Sequence, residues 1–404
     1  MTVAALEAKK PRPIGRLFGA TYGGQGVKLK NADLGEDLYP VNVNNWWGHM
    51  NRRGNLVVYP RFDWTDDSYE GFSRAVLDNR TGFIAANGDF YIGPIFPYAD
   101  RFEQGYAIVG NGNQFGYINK AGDLIVPIQL DGALRFKENM AGVQVGQQCG
   151  FINATGEIVI QLSFARVRSF HDGRAMVQVF NSDGDLGPLG YINKQGSFLF
   201  FDRNWVFADL GDFNDNLARA KVDGLWGYID KRYRLRIPAQ FHDCRDFVDG
   251  LAAVKLCGKW GFIDKAGNWV VPAIFDHVDD FDSKLAMVTR DGNVGFINQN
   301  ATNGIEPQFE FARPFFRNYA RVSQSPHFGY IDPSGRVMWD PRAPLAGILD
   351  VTLQGQVNAI DLRRKNLRPG TRILPAPFWR EALPIPYPPE YLYDEGLPQS
   401  INNL

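Results

Sequence analysis

Short apolar runs separated by polar turns recur along most of the chain, and this pattern predicts short β-strands. One clear copy begins with Trp260-Gly261-Phe262-Ile263-Asp264, turns through Lys265-Ala266-Gly267 and continues with Trp269-Val270-Val271-Pro272. Such runs are rich in β-branched and aromatic residues and are bounded by Asp, Asn, Gly and Pro, as strands are. We therefore predict an all-β protein.

Turn chemistry supports a hairpin between the first two runs of each unit. Asn119 or Asp264 opens a four-residue turn, and Gly122 or Gly267 closes it. Glycine takes the required positive φ at little cost. A proline follows, and we expect it to end the second strand because it cannot donate a hydrogen bond to the sheet. After an irregular turn, runs such as Leu285-Ala286-Met287-Val288 predict a third strand.

This three-stranded unit occurs nine times. Each copy has an apolar or aromatic residue, then Gly, Phe or Tyr, Ile, and Asn or Asp, with degenerate copies at Trp47–Asn51 and Thr81–Ala85. The key glycines are Gly48, Gly82, Gly116, Gly150, Gly190, Gly227, Gly261, Gly295 and Gly329. The steps between them are 34, 34, 34, 40, 37, 34, 34 and 34 residues. A spacing this regular indicates tandem structural repeats.

Two architectures are compatible with the repeat. A three-stranded unit cannot bury its aromatic residues alone, so neighbouring units are expected to stack and share a core. Propeller blades carry four strands and usually need about 40 residues or more. We therefore favour an open, twisted or superhelical array of about eight to nine units, with a closed propeller-like ring as the alternative.

The motif resembles the WG, or KWG, repeat of bacterial proteins. Lys259-Trp260-Gly261-Phe262-Ile263-Asp264-Lys265-Ala266-Gly267 is almost the complete family signature, and the resemblance covers roughly residues 41–340. It implies tandem β-repeats that act as interaction modules, and it implies a fold more than a function. Cys149, Leu189 and Val294 replace the motif tryptophan. Two units are longer than the rest, and loops such as Asn181–Pro188 are where a specific function would lie.

The two ends of the chain lack the motif. Residues 1–40 are expected to form a tail and a cap, and residues 41–341 the repeat array. Residues 342–404 are expected to form capping strands followed by an extended tail rich in proline and aromatic residues. That tail either packs along the array in cis or docks into a partner or a neighbouring copy. Its candidate partner-binding residues are Phe378, Trp379, Tyr387, Tyr391 and Tyr393.

Charge and cysteine content limit the classes of protein to which this chain can belong. The 43 Lys and Arg residues nearly balance the 44 Asp and Glu residues, which gives no electrostatic reason to expect nucleic acid or an anionic membrane as partner. No apolar run reaches the roughly 18 residues needed for membrane insertion. The N-terminus shows no Sec signal, so we expect a cytoplasmic protein, with leaderless export left open. Three widely spaced cysteines form neither a disulfide framework nor a zinc motif.

No residue pattern predicts a catalytic, cofactor-binding or metal site. The five histidines lie in different units and lack metal-ligand spacing: His49, His171, His242, His277 and His327. Phosphate-binding loops, dinucleotide fingerprints and nucleophile elbows are absent from the sequence. Carboxylates such as those at Asp279–Asp282 recur at turn positions, where turn chemistry explains them better than glycoside cleavage. Asn181, Asp183 and Asp185 have part of a calcium-loop pattern but lack its closing Glu.

We therefore expect a non-catalytic scaffold that binds protein partners, including the case of a subunit in a larger assembly. The alternative is a module that binds a glycan or cell-wall polymer through Trp46, Trp64 and Trp205, which lie outside the core motif. A third hypothesis is an enzyme with a site near Asp183 and Asp185. The sequence leaves the partner, the process and the oligomeric state open.

Overall fold

In the computed structural model, the described residues form 35 β-strands in nine antiparallel sheets arranged in a ring, so the chain is a nine-bladed β-propeller. The structure describes residues 37–43, 46–282, 284–299, 304–324 and 327–339. In each sheet the strand order is the chain order, and every blade is a simple meander. Within the described ranges, no helix is long and apolar enough to cross a membrane.

The strands of each blade follow one another along the chain. Blade one consists of β1 (Tyr39–Val43), β2 (Trp46–Met50) and β3 (Leu56–Phe62). Blades two to four consist of β4 (Trp64–Thr65), β5 (Ser73–Leu77), β6 (Arg80–Ile84), β7 (Phe90–Phe96), β8 (Tyr98–Ala99), β9 (Tyr106–Gly110), β10 (Phe115–Asn119), β11 (Leu124–Leu130), β12 (Gly132–Ala133), β13 (Met140–Val145), β14 (Gln148–Asn153) and β15 (Ile158–Phe164). Blades five to seven consist of β16 (Arg166–Val167), β17 (Arg174–Phe180), β18 (Leu186–Asn193), β19 (Phe198–Phe201), β20 (Asp209–Leu210), β21 (Leu217–Val222), β22 (Leu225–Asp230), β23 (Leu235–Phe241), β24 (Asp243–Cys244), β25 (Leu251–Leu256), β26 (Lys259–Asp264) and β27 (Trp269–Phe275). Blades eight and nine consist of β28 (His277–Asp282), β29 (Leu285–Arg290), β30 (Asn293–Asn298), β31 (Ile305–Phe309), β32 (Phe311–Ala312), β33 (Ala320–Gln324), β34 (His327–Ile331) and β35 (Val337–Trp339).

Four strands fit into a 34-residue repeat because the first strand of most blades has only two residues. In blade seven, for example, Asp243 and Cys244 pair with Lys255 and Val254 of β25. Sequence reasoning predicts three strands per unit, and the structure adds this fourth one within the segment predicted as an irregular turn. The short repeat is therefore compatible with a propeller, although it is shorter than most propeller repeats.

Blade nine packs against blade one and closes the ring. The Tyr330 hydroxyl donates to the Pro40 carbonyl at 2.6 Å, and the Tyr39 hydroxyl donates to the Arg317 carbonyl at 2.9 Å. The rings of Tyr39 and Tyr319 meet edge to face at 4.8 Å. The closed ring is thus the arrangement found, and the open array favoured from the sequence is wrong. The open array was favoured because a 34-residue repeat was taken to be too short for the four strands of a propeller blade.

The short first strands lie nearest the ring axis. Within the described residues blade one shows no such strand, and at this position Tyr69 of blade two and Phe316 of blade nine bring their rings within 5.1 Å. Side chains two blades apart can meet only where the blades converge. The fourth strands, which alternate between exposed and buried residues, therefore form the periphery.

The key glycines are required because the fourth strand rests directly on them. A Cβ at Gly116 would lie 2.5 Å from the carbonyl oxygen of Val126 and 2.9 Å from the carbonyl carbon of Pro127. Seven further key glycines have a backbone oxygen at 2.7 Å or less from the same point: Gly48, Gly82, Gly150, Gly190, Gly227, Gly261 and Gly295. Gly329 occupies the equivalent position, paired with Val322.

The prolines do not end the strands, contrary to the sequence expectation. Pro127 lies inside β11, where the register shifts opposite Gly116. β11 is an edge strand, so the missing N–H of Pro127 removes no hydrogen bond to a neighbouring strand. The turn prediction is confirmed: Gly122 has a φ of 86°, and its N–H donates to the Asn119 carbonyl at 2.9 Å.

Aromatic residues form the core between blades rather than within them. The motif Phe or Tyr of one blade contacts the phenylalanine that follows the first strand of the next blade. These pairs, with centroids 4.6–5.2 Å apart, are Phe83–Phe102, Tyr117–Phe136, Phe151–Phe170, Tyr191–Phe213, Tyr228–Phe247, Phe262–Phe281 and Phe296–Phe315. Where the motif residue is tyrosine, its hydroxyl also donates to a carbonyl of the next blade, as from Tyr228 to Arg245 at 2.7 Å.

Lysines of the motif turn add an electrostatic tie between blades. Lys120 of blade three forms an ion pair of 3.0 Å with Glu70 of blade two, and Glu70 also accepts the N–H of Gly105 at 2.9 Å. Equivalent pairs join Lys194 to Glu138, Lys231 to Asp172 and Lys265 to Asp215 at 2.9–3.4 Å. The lysine that follows the Asn or Asp of the motif turn therefore forms ion pairs between neighbouring blades.

Candidate interaction face

The histidines and cysteines are not brought together. His49 is buried, with Nε2 2.9 Å from the Asp66 carbonyl oxygen, and burial lowers its pKa to about 4. All three cysteines are free; Cys149 and Cys244 are buried, and burial raises the pKa of both thiols, that of Cys149 to about 12. Cys257 is exposed in a hairpin turn of blade seven. Among the described residues, no group of three or more His, Cys, Asp or Glu side chains could hold a metal ion.

Charged residues near the ring axis tie neighbouring blades. Asp100 of blade three accepts from Arg74 of blade two at 3.5 Å and from Arg135 of blade four at 2.6 Å. Burial alone would raise the pKa of Asp100, but Arg135 and Arg74 hold it below its usual value. The Asp100 carboxylate therefore stays ionised within its ion pairs, as structural residues do.

In one arc of this axial region, carboxyl groups have raised rather than lowered pKa values. Asp212, Asp246 and Asp280 occupy equivalent positions in blades six, seven and eight. Burial raises the pKa of Asp212 to about 6, and Asp246 adds to the shift while Arg168 opposes it. The pKa of Asp280 also rises to about 6, through its enclosure and through Asp246 and Asp279. The arc therefore gains negative charge as the pH rises through 6.

Blade five departs from the repeat at two places. The hairpin between β25 and β26 of blade seven has two residues, whereas the hairpin between β17 and β18 has five, residues 181–185. A single residue joins β27 to β28, whereas seven residues, 202–208, join β19 to β20. These insertions account for the two long repeat steps of 40 and 37 residues.

Both insertions lie on the same face of the ring. In an antiparallel meander, the turn between the second and third strands and the connection leaving the fourth strand emerge at the same end of the blade. The two insertions of blade five therefore emerge side by side, although they are far apart in the repeat. We call residues 181–186 and 202–207 the blade-five surface.

The connection on this surface presents a tryptophan in a fixed turn. Trp205 is 57% exposed and has a φ of 54°, an unfavourable region for a bulky side chain. Asp202, only 4% exposed, holds the turn: its carboxylate accepts the N–H groups of Val206 at 3.1 Å and Phe207 at 2.8 Å. Phe207 in turn packs against Phe200 at 6.0 Å. The exposed Trp205 side chain thus lies in a turn that the buried Asp202 carboxylate fixes.

The hairpin contributes exposed carboxylates and one apolar residue. The Asn181 side-chain oxygen accepts the N–H groups of Asp183 and Asp185 at 2.9 and 2.8 Å. Because this oxygen closes the turn, the partial calcium-loop pattern is explained by turn chemistry. Leu186, which follows, is 43% exposed, and Val206 of the neighbouring connection is 48% exposed.

The other tryptophans proposed from the sequence do not join this surface. Trp46 and Trp64 are half-buried in blades one and two, and Arg74 covers the Trp64 ring at 5.3 Å. Trp46 and Trp64 thus belong to blades one and two, whereas Trp205 belongs to the connection after blade five. The predicted tail residues lie outside the described residues: Phe378, Trp379, Tyr387, Tyr391 and Tyr393. Sequence reasoning missed Asp202, whose only signal is the 37-residue step around it.

Comparison with a repeat family agrees with the motif. A family model described as "WG containing repeat" matches more than half of the chain. The matched segments are residues 47–80, 115–149, 150–181, 206–226, 226–260, 260–293 and 295–325. No protein of curated function matches the chain.

Comparison with solved structures gives matches of low sequence identity. One, described as the eukaryotic initiation factor, has a TM-score of 0.55 and 12% identity, covering 76% of this chain and 95% of that one. AztD of Citrobacter koseri has a TM-score of 0.38 and 11% identity, covering 75% and 93%. The Pan2 WD40 domain of Neurospora crassa has a TM-score of 0.32 and 12% identity, covering 58% and 84%. At this identity the first likeness supports the fold alone.

Proposed function

The chain belongs to the WG-repeat family, and from this premise we propose that it is a non-catalytic scaffold that binds a protein partner through the blade-five surface. Repeat propellers of this kind serve as interaction scaffolds in general. The specific part of the proposal is the surface. The observation that carries it is Trp205, exposed at a turn that a buried carboxylate holds in place.

An exposed tryptophan in a rigid turn has the properties of a binding anchor. Trp is among the residues that dominate interface energetics, typically costing about 2 kcal/mol or more when truncated at a hot spot. A turn fixed before binding loses little conformational entropy on complex formation. Leu186 and Val206 extend the apolar area around the indole. The positive φ of Trp205 also fits the tendency of strained residues to lie at functional sites.

Two other exposed aromatic residues, Trp269 and Phe198, have inter-blade ring contacts. Trp269 is 40% exposed, but its ring contacts Phe241 of the preceding blade at 6.1 Å. Phe198 likewise contacts Phe164 of blade four at 6.3 Å. These positions close the outer seam between blades. The two insertions, by contrast, are absent from the other blades described.

We place this interaction in the cytoplasm. All three cysteines are free thiols, and two of them are buried in the blade cores, which suits a reducing compartment.

The test compares Trp205→Ala with Trp269→Ala in proteins affinity-purified from the source cells. Quantitative mass spectrometry should show partners that are lost at least tenfold with Trp205→Ala and retained with Trp269→Ala, because Trp205 is 57% exposed on the blade-five surface whereas the Trp269 ring packs against Phe241 of the preceding blade. Equal recovery of every partner with both variants would overturn the proposal. Retention of wild type on a polysaccharide resin, lost only with Trp205→Ala, would instead establish the glycan-binding alternative.

A further inference from the structure

The blade-five surface carries negative charge that the described residues do not neutralise. Asp183 and Asp185 are exposed on its hairpin, and Asp223 is exposed in the corresponding hairpin of blade six. None of the three forms an ion pair with any residue in the described part of the chain. Arg203 adds one positive charge to the turn that holds Trp205. The surface is therefore apolar at Trp205, Val206 and Leu186, with a net negative border.

A segment of the same chain has the complementary chemistry. Residues 362–374 read Leu-Arg-Arg-Lys-Asn-Leu-Arg-Pro-Gly-Thr-Arg-Ile-Leu, with five positive charges and no acidic residue. Leu362, Leu367, Ile373 and Leu374 intersperse apolar side chains among those charges. Such a concentration of one charge is unusual in a chain whose formal net charge is −1. We call residues 362–374 the basic segment.

The basic segment is within reach of the blade-five surface in the same molecule. β35 is the fourth strand of its meander, so the chain leaves Trp339 on the face that also carries the connection after β19. The 23 residues from Trp339 to Leu362 can span up to about 75–80 Å. Nine sheets packed about 10 Å apart, each about 15 Å wide, make a ring roughly 50 Å across. The linker is thus long enough to cross it.

We propose that the basic segment docks onto the blade-five surface of its own chain. Its arginines and Lys365 face Asp183, Asp185 and Asp223, and its leucines cover Trp205. A tether of this length gives an effective concentration on the order of millimolar, which favours docking in cis over a second copy at lower protein concentrations. The inference rests on the proposed function in one respect: it takes the blade-five surface as the interaction surface. An outside partner would then compete with the basic segment.

Carbodiimide cross-linking of the full-length protein tests this contact directly. The reagent joins an amine to a carboxylate that touches it, and Lys365 is the only lysine of the basic segment. We expect cross-links from Lys365 to Asp183, Asp185 or Asp223 in the monomer band, with a yield that does not change over a tenfold dilution. Cross-links confined to dimers, or decreasing with dilution, would show docking of a second copy and overturn the proposal.

Hydrogen exchange supplies an independent measurement. The triple variant Arg363→Glu/Arg364→Glu/Lys365→Glu should exchange several-fold faster than wild type over residues 181–186 and 203–207. The matched control, Lys9→Glu/Lys10→Glu/Arg12→Glu, reverses the same number of charges in the N-terminal segment and should leave that exchange unchanged. Asp183→Asn/Asp185→Asn should reproduce the triple variant's effect, whereas Asp89→Asn/Asp123→Asn on the opposite face should not.

The outcomes separate this inference from the proposed function. Suppose that no Lys365 cross-links form and that the triple variant leaves exchange unchanged, but Trp205→Ala still loses partners. The surface then binds an outside protein and the basic segment does not dock. If the basic segment docks but Trp205→Ala retains every partner, the docking stands and the proposed partner site fails. Charges are screened beyond about 3 Å in 1 M salt. If residues 181–186 and 203–207 stayed protected from hydrogen exchange at that salt concentration, the proposed charge attraction between the basic segment and the surface would be contradicted.

Discussion

Replacing Gly82 with alanine tests whether the fourth strand of a blade rests directly on the key glycine. The added Cβ would lie 2.6 Å from the Ile92 carbonyl oxygen and 2.7 Å from both the Gly93 carbonyl carbon and the Pro94 nitrogen. All three are backbone atoms, so no side-chain rotation can relieve the contact. Optimal carbon contacts are about 3.5–4.0 Å, and β7 would therefore have to move outward by nearly 1 Å.

The magnitude follows from that displacement. Overpacking a well-packed core costs about 1–3 kcal/mol. Moving β7 also strains its pairing with β6 at Thr81–Phe96 and Phe83–Ile92, where each hydrogen bond contributes about 1 kcal/mol net. We expect a loss of about 3 kcal/mol. For a chain of 404 residues, an unfolding entropy of about 2.1 cal/mol/K per residue makes 1 kcal/mol correspond to roughly 1–2 °C, so the melting temperature should fall by about 3–6 °C.

Gly93→Ala is the matched control in the same blade. A Cβ at Gly93 would have as its nearest neighbour the Ile95 Cγ2 atom, at 3.9 Å, and Gly93 is not at positive φ. Its melting temperature, measured by differential scanning calorimetry, should stay within about 2 °C of wild type. Equal melting temperatures for Gly82→Ala and Gly93→Ala would refute the close-approach explanation of the repeat glycine.

Three further changes probe the ring and the surface. Tyr228→Phe removes the hydroxyl that donates to Arg245, and it should lower the free energy of unfolding in urea by about 1 kcal/mol, because a part-buried carbonyl loses its partner. Asp212→Asn should raise stability at pH 8 by up to about 3 kcal/mol and have little effect at pH 4, measured by thermal unfolding. Asp202→Ala should release the Trp205 turn, accelerating hydrogen exchange at its amides and weakening partner recovery without removing the tryptophan.

The sign of the Asp212 effect follows from its raised pKa. The carboxyl titrates near 4 in the unfolded chain and at about 6 in the folded protein. Its favourable contribution is therefore complete below pH 4 and is lost as the pH rises through 6, so the neutral asparagine is better tolerated above that range. A larger benefit at pH 4 than at pH 8 would contradict the assignment. Unchanged urea midpoints for Tyr228→Phe, or unchanged exchange for Asp202→Ala, would contradict the other two predictions.

The sequence by itself determined the repeat and its local geometry. The 34-residue step, the turn from Asn119 to Gly122 and the packed position of the key glycines all depend on neighbouring residues, so they can be read from the order of side chains. The phased aromatic residues also indicated a core shared between units. Family membership followed from the same motif.

Only the tertiary structure decided how the units close and what faces solvent. Ring closure depends on contacts such as Tyr330 with Pro40, which are 290 residues apart. A two-residue first strand is too short to leave a pattern in the sequence, so the strand number per unit was underestimated. The blade-five surface likewise joins two insertions that are separated along the chain by the third and fourth strands of blade five. Packing between distant segments carries no local signature, and that is why the surface at Trp205 emerged only with the fold.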